Sequence, residues 1–238
     1  MRIVIPLFDG FTALDVVGPY EVLRMLPHAD VVFAAAAPGA RADGEGQLRL
    51  LATAPFQDVG AADILVVPGG PGTRHLLADE SLLDWIRRIH ATTRWTTSVC
   101  TGSLLLAAAG LLDGLDATTH WGAVDLLESF GARYTAHRVV EQPGGIITAA
   151  GVSSGIDMAL RLAELVEGRV AAEAFQLAIE YDPQPPFDSG SYGKAPQEAK
   201  DYLAARRDAS AADPGPTPRP PSEDSPPPRG CDERRLAE

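Results

Sequence analysis

The sequence predicts an α/β fold: a mainly parallel sheet with helices on both faces. Three observations point to it. Short apolar runs recur at residues 2–7, 62–67 and 95–99, with little of the polar alternation of a half-exposed strand, as parallel strands buried on both sides require. Segments with apolar residues at helical spacing lie between them. Turn-forming residues gather directly after the strands, as Phe8-Asp9-Gly10, Pro68-Gly69-Gly70-Pro71-Gly72 and Cys100-Thr101-Gly102-Ser103.

In chain order, residues 2–7 form a strand and residues 14–26 a helix. Residues 30–37 and 62–67 are the next strands, the latter ending in the PGGPG loop. Residues 80–90 place Leu82, Leu83, Ile86 and Ile89 on one side of a helix. A strand at 95–99 runs into a helix at 102–112, and a further helix at 122–130 is closed by Gly131. Residues 138–142 and 146–150 flank Pro143-Gly144-Gly145 as a hairpin. A long helix at 153–168 has Ser153 or Ser154 as its N-cap, and another spans 170–181. Open parallel sheets place their sites beyond the carboxyl ends of the strands. Residues 9–15, 69–72 and 100–102 fall there.

The chain of 238 residues holds one domain, expected over residues 1–203, followed by a tail at 204–238. PGPTPRPP and SPPPRG in that tail bring almost no apolar surface to offset ordering entropy, so it is expected to be disordered. A net charge of −12 argues against nucleic acid and anionic membranes as partners, because both select a basic footprint. The first apolar run is too short for a signal peptide and residues 104–112 are too short for a membrane span, so a cytoplasmic protein is expected. Of the two cysteines, Cys231 lies in the tail and Cys100 in the strongly patterned segment; two make a poor disulfide framework. The five histidines show no metal-ligand spacing.

Four features carry chemistry. In TTSVCTGSLLL an apolar strand reaches Cys100 and small residues open a helix at once, the arrangement of a nucleophile elbow. A lone cysteine in an apolar segment is more often an inert core thiol. Here the turn chemistry favours a nucleophile, with the helix N-terminus expected to lower its pKa. After a buried strand, Gly69 and Gly70 let the backbone approach a ligand, and the Gly70 N–H is expected to join that of Thr101 in an oxyanion pocket. Asp15, between Leu14 and Val16-Val17, is either a first-turn helix aspartate or an acid beside the thiol, its pKa raised by a neighbouring thiolate. His120, in Thr118-Thr119-His120-Trp121, is a structural histidine or a base for Cys100.

From residue 2 to about residue 200 the chain resembles the PfpI-like branch of the type 1 glutamine amidotransferase-like superfamily. FDGFTALDVVGPYEVL, VVPGGPG and SVCTGSLLLAAAGLLDG followed by ATTHW carry the resemblance. The stretch IEYDPQPPFD at residues 179–188 is similar to the ending of the members that hydrate isonitriles. The resemblance implies a flavodoxin-like sandwich, a homodimer, and no metal or organic cofactor. It implies Cys100 as nucleophile, Asp15 as acid and base, and Thr101 as a required neighbour. The implied reaction hydrates a small isonitrile to an N-substituted formamide. The branch's peptidases have His directly after the cysteine, whereas this chain has Thr101, which argues against a protease triad.

Two other readings compete. Transcriptional regulators of the AraC type carry a similar domain with CTG and TTHW motifs, which implies a ligand sensor. No basic helical pair follows Phe187, so a DNA-binding regulator is disfavoured. A glyoxalase-like stress protein would use the same thiol on reactive aldehydes.

Overall fold

The computed structural model describes the backbone of residues 1–212 and side chains through residue 206. Residues 1–192 form one compact unit and the chain from Gly193 a second. In the first, β1 (Arg2–Pro6) buries Ile3, Val4 and Ile5 completely. It leads through the 7–12 loop into α1 (Ala13–Leu23) and then β2 (Asp30–Ala35). Phe11 in that loop is fully buried and anchors it. An antiparallel hairpin of β3 (Gly39–Ala42) and β4 (Arg49–Ala52) follows, then the short β5 (Ala54–Pro55). The hairpin and β5 were not anticipated. Their glycines, alanines and arginines lack the apolar runs that mark the inner strands.

β6 (Ile64–Val67) ends in the glycine loop, and α2 (Thr73–Leu76) is a single turn. α3 (Glu80–His90) occupies the expected residues and is capped by Asp79, whose carboxylate accepts from the N–H groups of Ser81 and Leu82 at 3.1 and 3.2 Å. β7 (Trp95–Val99) and α4 (Gly102–Ala108) meet at Cys100. β8 (Asp116–Ala117), α5 (Val124–Ser129) and β9 (Arg133–Tyr134) complete a small peripheral layer. The expected hairpin is β10 (Val139–Gln142) and β11 (Ile146–Ala149), and the final helices of this unit are α6 (Ser154–Glu167) and α7 (Arg169–Ala178). Ser153 stands at the N-cap of α6 without capping it; its backbone is helical and its hydroxyl instead accepts from Arg138 at 3.1 Å.

The central sheet has seven strands in the order β10-β11-β7-β6-β1-β2-β5. Every neighbouring pair is parallel except β10 with β11. Val4 pairs with Leu65, Val66 with Thr97 and Ser98 with Thr148, so the inner four strands are held in close register. α1 packs on α6 and α6 on α7, while α4 packs with α2, α3 and α5. The α/β class is therefore the one the sequence predicts, with a mainly parallel sheet between two helical layers. From β1 the chain runs outward to β2 and β5, then returns to the other side of β1 with β6. This reversal opens a crevice beyond the ends of β1 and β6, where such sheets hold ligands. Thr12 N–H donates to Gly69 O at 2.8 Å and Gly72 N–H to Gly10 O at 3.0 Å, tying the two loops at that crevice.

In the second unit, α8 (Gln197–Ala212) is helical. The tail expected from residue 204 thus begins inside a helix. The QEAKDYLAARRDASAA segment is rich in Ala, whose intrinsic helix preference needs no buried face. The remainder of the expected tail, with Cys231, lies outside the described residues.

Candidate active site

Three loops at the carboxyl edge of the sheet converge. Cys100 sits between β7 and α4 at φ 57°, left-handed backbone that a residue with a Cβ seldom adopts. The strain is held by hydrogen bonds on both sides. Its N–H donates to Ala149 O at 3.1 Å and Ala150 O at 2.8 Å, and its carbonyl accepts from Ser103 Oγ and Thr119 Oγ1, each at 3.1 Å. A strained, over-determined backbone of this kind marks functional sites. This is the elbow expected from the sequence.

Asp15 arrives from the first turn of α1 and is fully buried. Gly69 N–H donates to Asp15 Oδ2 at 2.9 Å, while Oδ1 is buried with no hydrogen-bond partner. Among the described residues no guanidinium or ammonium is recorded as a partner of the carboxyl. Burial therefore pushes its pKa up to about 7, against the opposing pull of the Gly69 N–H and the adjacent Cys100 side chain. The sequence reading attributed the rise to a thiolate neighbour; desolvation is the larger cause.

The Cys100 thiol is pushed up to about 12, first by burial and then by the Asp15 charge. Hydrogen bonds from the backbone of Val152 and from the backbone and side chain of Thr101 pull in the opposite direction. The expected lowering is thus reversed. α4 supplies N–H donors at its start, but water is excluded from the sulfur and the nearest charge is negative. At neutral pH the pair is a protonated thiol beside a carboxyl near its midpoint.

Gly69 and Gly70 serve this pair in a way the sequence did not reveal. Gly70 N–H donates to Thr101 Oγ1 at 2.9 Å, so it is engaged within the protein and does not form the expected oxyanion donor pair with Thr101 N–H. Gly69 has no room for a side chain: a Cβ there would lie 2.5 Å from Thr101 N and 2.6 Å from its hydroxyl. His120 does not pair with Cys100 through Nδ1, which accepts the Gly122 N–H at 3.1 Å and caps the turn at 121–123. Its ring lies over Gly151, where an added Cβ would be 3.0 Å from Cδ2, and beside Trp121 at 5.2 Å between centroids. The titratable neighbour acting on the sulfur is Asp15.

Two contributors were not anticipated. Val152, at φ 29°, turns its N–H to the Cys100 sulfur. Only the run of small residues Ala149-Ala150-Gly151 after a strand hinted that the backbone approaches something there. Thr73, fully buried at the start of α2, hydrogen-bonds into the Gly70–Thr101 turn. Of the 179–188 stretch, Tyr181 donates from its hydroxyl to Asp157 at 3.1 Å, whereas Phe187 is 77% exposed. Among the described residues no cluster of three His, Cys, Asp or Glu converges to hold a metal ion. No described helix is long and apolar enough to cross a membrane.

Comparison with known proteins agrees with this architecture. The DJ-1/PfpI family model matches residues 1–165. The chain is 45% identical over 202 residues to the isonitrile hydratase of Pseudomonas putida, covering 84% of this chain and 87% of that one. It is 29% identical over 183 residues to the HTH-type transcriptional regulator CdhR of Pseudomonas aeruginosa, covering 75% of this chain and 52% of the regulator. A solved ThiJ/PfpI family protein from Pseudomonas syringae superimposes with a TM-score of 0.82 at 36% identity, over 89% of this chain and 86% of that one. The chain belongs to the DJ-1/PfpI family.

Proposed function

We infer that the protein is an isonitrile hydratase, a hydro-lyase that converts an isonitrile and water to an N-substituted formamide. The observation that carries the reading is the buried thiol–carboxyl pair of Cys100 and Asp15, in a chain 45% identical to an isonitrile hydratase over most of its length.

The isonitrile R–N≡C presents a terminal carbon that accepts both a nucleophile and a proton. Ionised Asp15 takes the thiol proton as Cys100 Sγ bonds to that carbon. The same carboxyl delivers the proton to the carbon, giving the thioimidate R–N=CH–S–Cys100. Water then adds to the C=N carbon with Asp15 as base, and the nitrogen gains a proton. Collapse of R–NH–CH(OH)–S–Cys100 breaks the C–S bond, returns the proton to sulfur and releases R–NH–CHO. Two moderate barriers replace one high barrier. A pKa near 7 suits a group that must accept and return a proton at neutral pH. Thr101 serves by hydrogen-bonding the sulfur, Gly69 and Gly70 by holding Asp15 and Thr101, and His120 by supporting the 150–153 turn.

The proposal includes a homodimer, on the resemblance and on the apolar Val170 and Leu177 that α7 leaves exposed. It includes a cytoplasmic location, where a reducing compartment keeps an unpaired thiol reduced. The test is formamide production from simple alkyl and aryl isonitriles by the wild type and by Cys100→Ala. Turnover by the wild type and none by the variant is expected. Equal turnover by the variant contradicts the covalent route. Saturable ligand binding without turnover by the wild type replaces the reading with the sensor related to the regulators, and methylglyoxal consumption replaces it with a glyoxalase-like enzyme.

A further inference from the structure

Thr118 and Thr119 are neighbours in the ATTHW segment and equally buried, but their hydroxyls differ in what they meet. Thr118 is fixed through its backbone: its N–H donates to Thr148 Oγ1 of β11 at 2.9 Å. Its own hydroxyl is buried with no hydrogen-bond partner among the described residues. Thr119 Oγ1 donates to Cys100 O at 3.1 Å, a bond between residues 19 apart in the chain. The same carbonyl accepts from Ser103 Oγ at 3.1 Å, which fills its second lone pair. Ser103 lies in the first turn of α4, so its bond travels with the helix that leaves the elbow. Thr119 belongs to a separate segment that Thr118 ties to the sheet. Its bond therefore refers the Cys100 carbonyl to β11.

The carbonyl is part of a planar unit. Cys100 Cα, C and O and Thr101 N, H and Cα move together, so holding the oxygen holds the carbon that carries the thiol. The hold matters at this peptide because Cys100 is at φ 57°, a conformation that persists only where its surroundings over-determine it. The plane also borders the acid: a Cβ on Gly69 would lie 2.5 Å from Thr101 N and 3.0 Å from Asp15 Oδ2. We propose that Thr119 is a positioning residue for Cys100: by holding the Cys100 carbonyl to the sheet, its hydroxyl keeps the Cys100–Thr101 peptide plane in the orientation that sets the thiol beside Asp15. Thr119 acts through this backbone oxygen and not on the sulfur. The proposal rests on Cys100 being the nucleophile of the proposed reaction, and one of its two readouts is independent of any isonitrile.

The experiment compares Thr119→Val with Thr118→Val in the full chain, each of which replaces one buried hydroxyl by a methyl group. The first readout is amide hydrogen exchange at Cys100 and Thr101. Thr119→Val is expected to speed it about fivefold, because one bond that holds the turn is lost, and Thr118→Val to leave it unchanged. The second is formamide production from an isonitrile. Thr119→Val is expected to lower kcat about tenfold through misplacement of the thiol, with KM within about twofold of wild type. Thr118→Val is expected to leave both constants within about twofold, since its hydroxyl holds nothing. Thr119→Ser keeps the hydroxyl and is expected to return both readouts toward wild type. Wild-type exchange at Cys100 in Thr119→Val overturns the proposal, and so does wild-type kcat. Equal effects in Thr118→Val overturn it too, because the loss would then follow from a polar-to-apolar change in the segment and not from the bond to Cys100. If Thr119→Val does not fold, Thr119→Ala against Thr119→Ser makes the same comparison, because both lack the methyl group and differ in the hydroxyl. Absence of isonitrile turnover in the wild type rejects the hydratase reading, and exchange at Cys100 then decides this one alone.

Discussion

Asp15 and Asp157 occupy the same local position, the first turn of a helix, and their helices α1 and α6 pack against each other. Both gain from the N-terminal dipole that favours a carboxylate. Their surroundings then separate them. Asp157 is ion-paired with Arg138 and accepts from Tyr181 OH at 3.1 Å, at the edge of the protein. Asp15 is fully buried, has one backbone donor and leaves Oδ1 without a partner. One aspartate is satisfied and structural. The other is held at a cost, and that cost keeps a proton exchangeable near neutral pH. Helix position does not tell the two apart; the presence or absence of a cation and of water does.

The largest effect that sharpens this contrast is on turnover. Asp15→Asn keeps the shape and the Gly69 hydrogen bond but cannot move a proton, and is expected to lose about 10²–10⁴-fold in kcat. Asp157→Asn is expected to change kcat by less than about twofold in the same formamide assay, because the ion pair it loses is partly exposed and worth about 0–1 kcal/mol. Comparable losses in both would erase the distinction.

Gly69→Ala probes the packing that defines the buried member of the pair. A Cβ 2.5 Å from Thr101 N must displace the turn carrying both the Asp15 donor and the Thr101 backbone. The expected result is a fall of about 10²-fold in kcat from misplacement, with KM little changed. Alanine at this position with wild-type kcat would show that the close approach is incidental.

Stability against pH separates the aspartates again. The folded pKa of Asp15 is about 7, above its ordinary value of 3.8, so the folded state binds more protons than the unfolded state between them. Asp15 therefore costs nothing below pH 4. Its cost grows as pH rises to about 7 and stays constant above, reaching up to about 4 kcal/mol. Asp15→Asn is expected to unfold at higher denaturant concentration than wild type at pH 8 and to lose that advantage at pH 4. A variant no more stable than wild type at pH 8 would contradict the buried, unpaired carboxylate. Asp157→Asn is expected to lower stability slightly, by about 1 kcal/mol or less, with the smallest effect in the series.

Much of this site was legible in the amino-acid sequence, and its limits are instructive. Trp95–Val99 followed by Cys100-Thr101-Gly102 announced an elbow because a buried strand that meets small residues must turn sharply. Asp15 stood out as a carboxylate within an apolar stretch. The direction of the Cys100 shift was not legible, since local sequence shows the helix start that stabilises a thiolate but not the burial and the Asp15 charge that oppose it. His120 looked like a base because residue type is visible and ring orientation is not. Thr73 left no signature, and Val152 only the run of small residues before it. Val152 acts through a backbone N–H, and Thr73 bonds a carbonyl belonging to a loop 31 residues from Thr101. Regular inner strands were recovered because apolar runs dictate them. The β3–β4 hairpin and α8 were not, because the hairpin fully buries only Ala52 and the residues of α8 up to 206 bury no side chain completely, so neither writes an apolar pattern into the chain.

The most direct test of the thiol–carboxyl pair is the pH dependence of kcat/KM for an isonitrile. With the thiol protonated up to about 12 and Asp15 the base that receives its proton, kcat/KM should rise as one group ionises near 7 and then level off through pH 9. A profile flat across pH 7, or one that climbs without levelling as a free thiol ionises, would contradict the account.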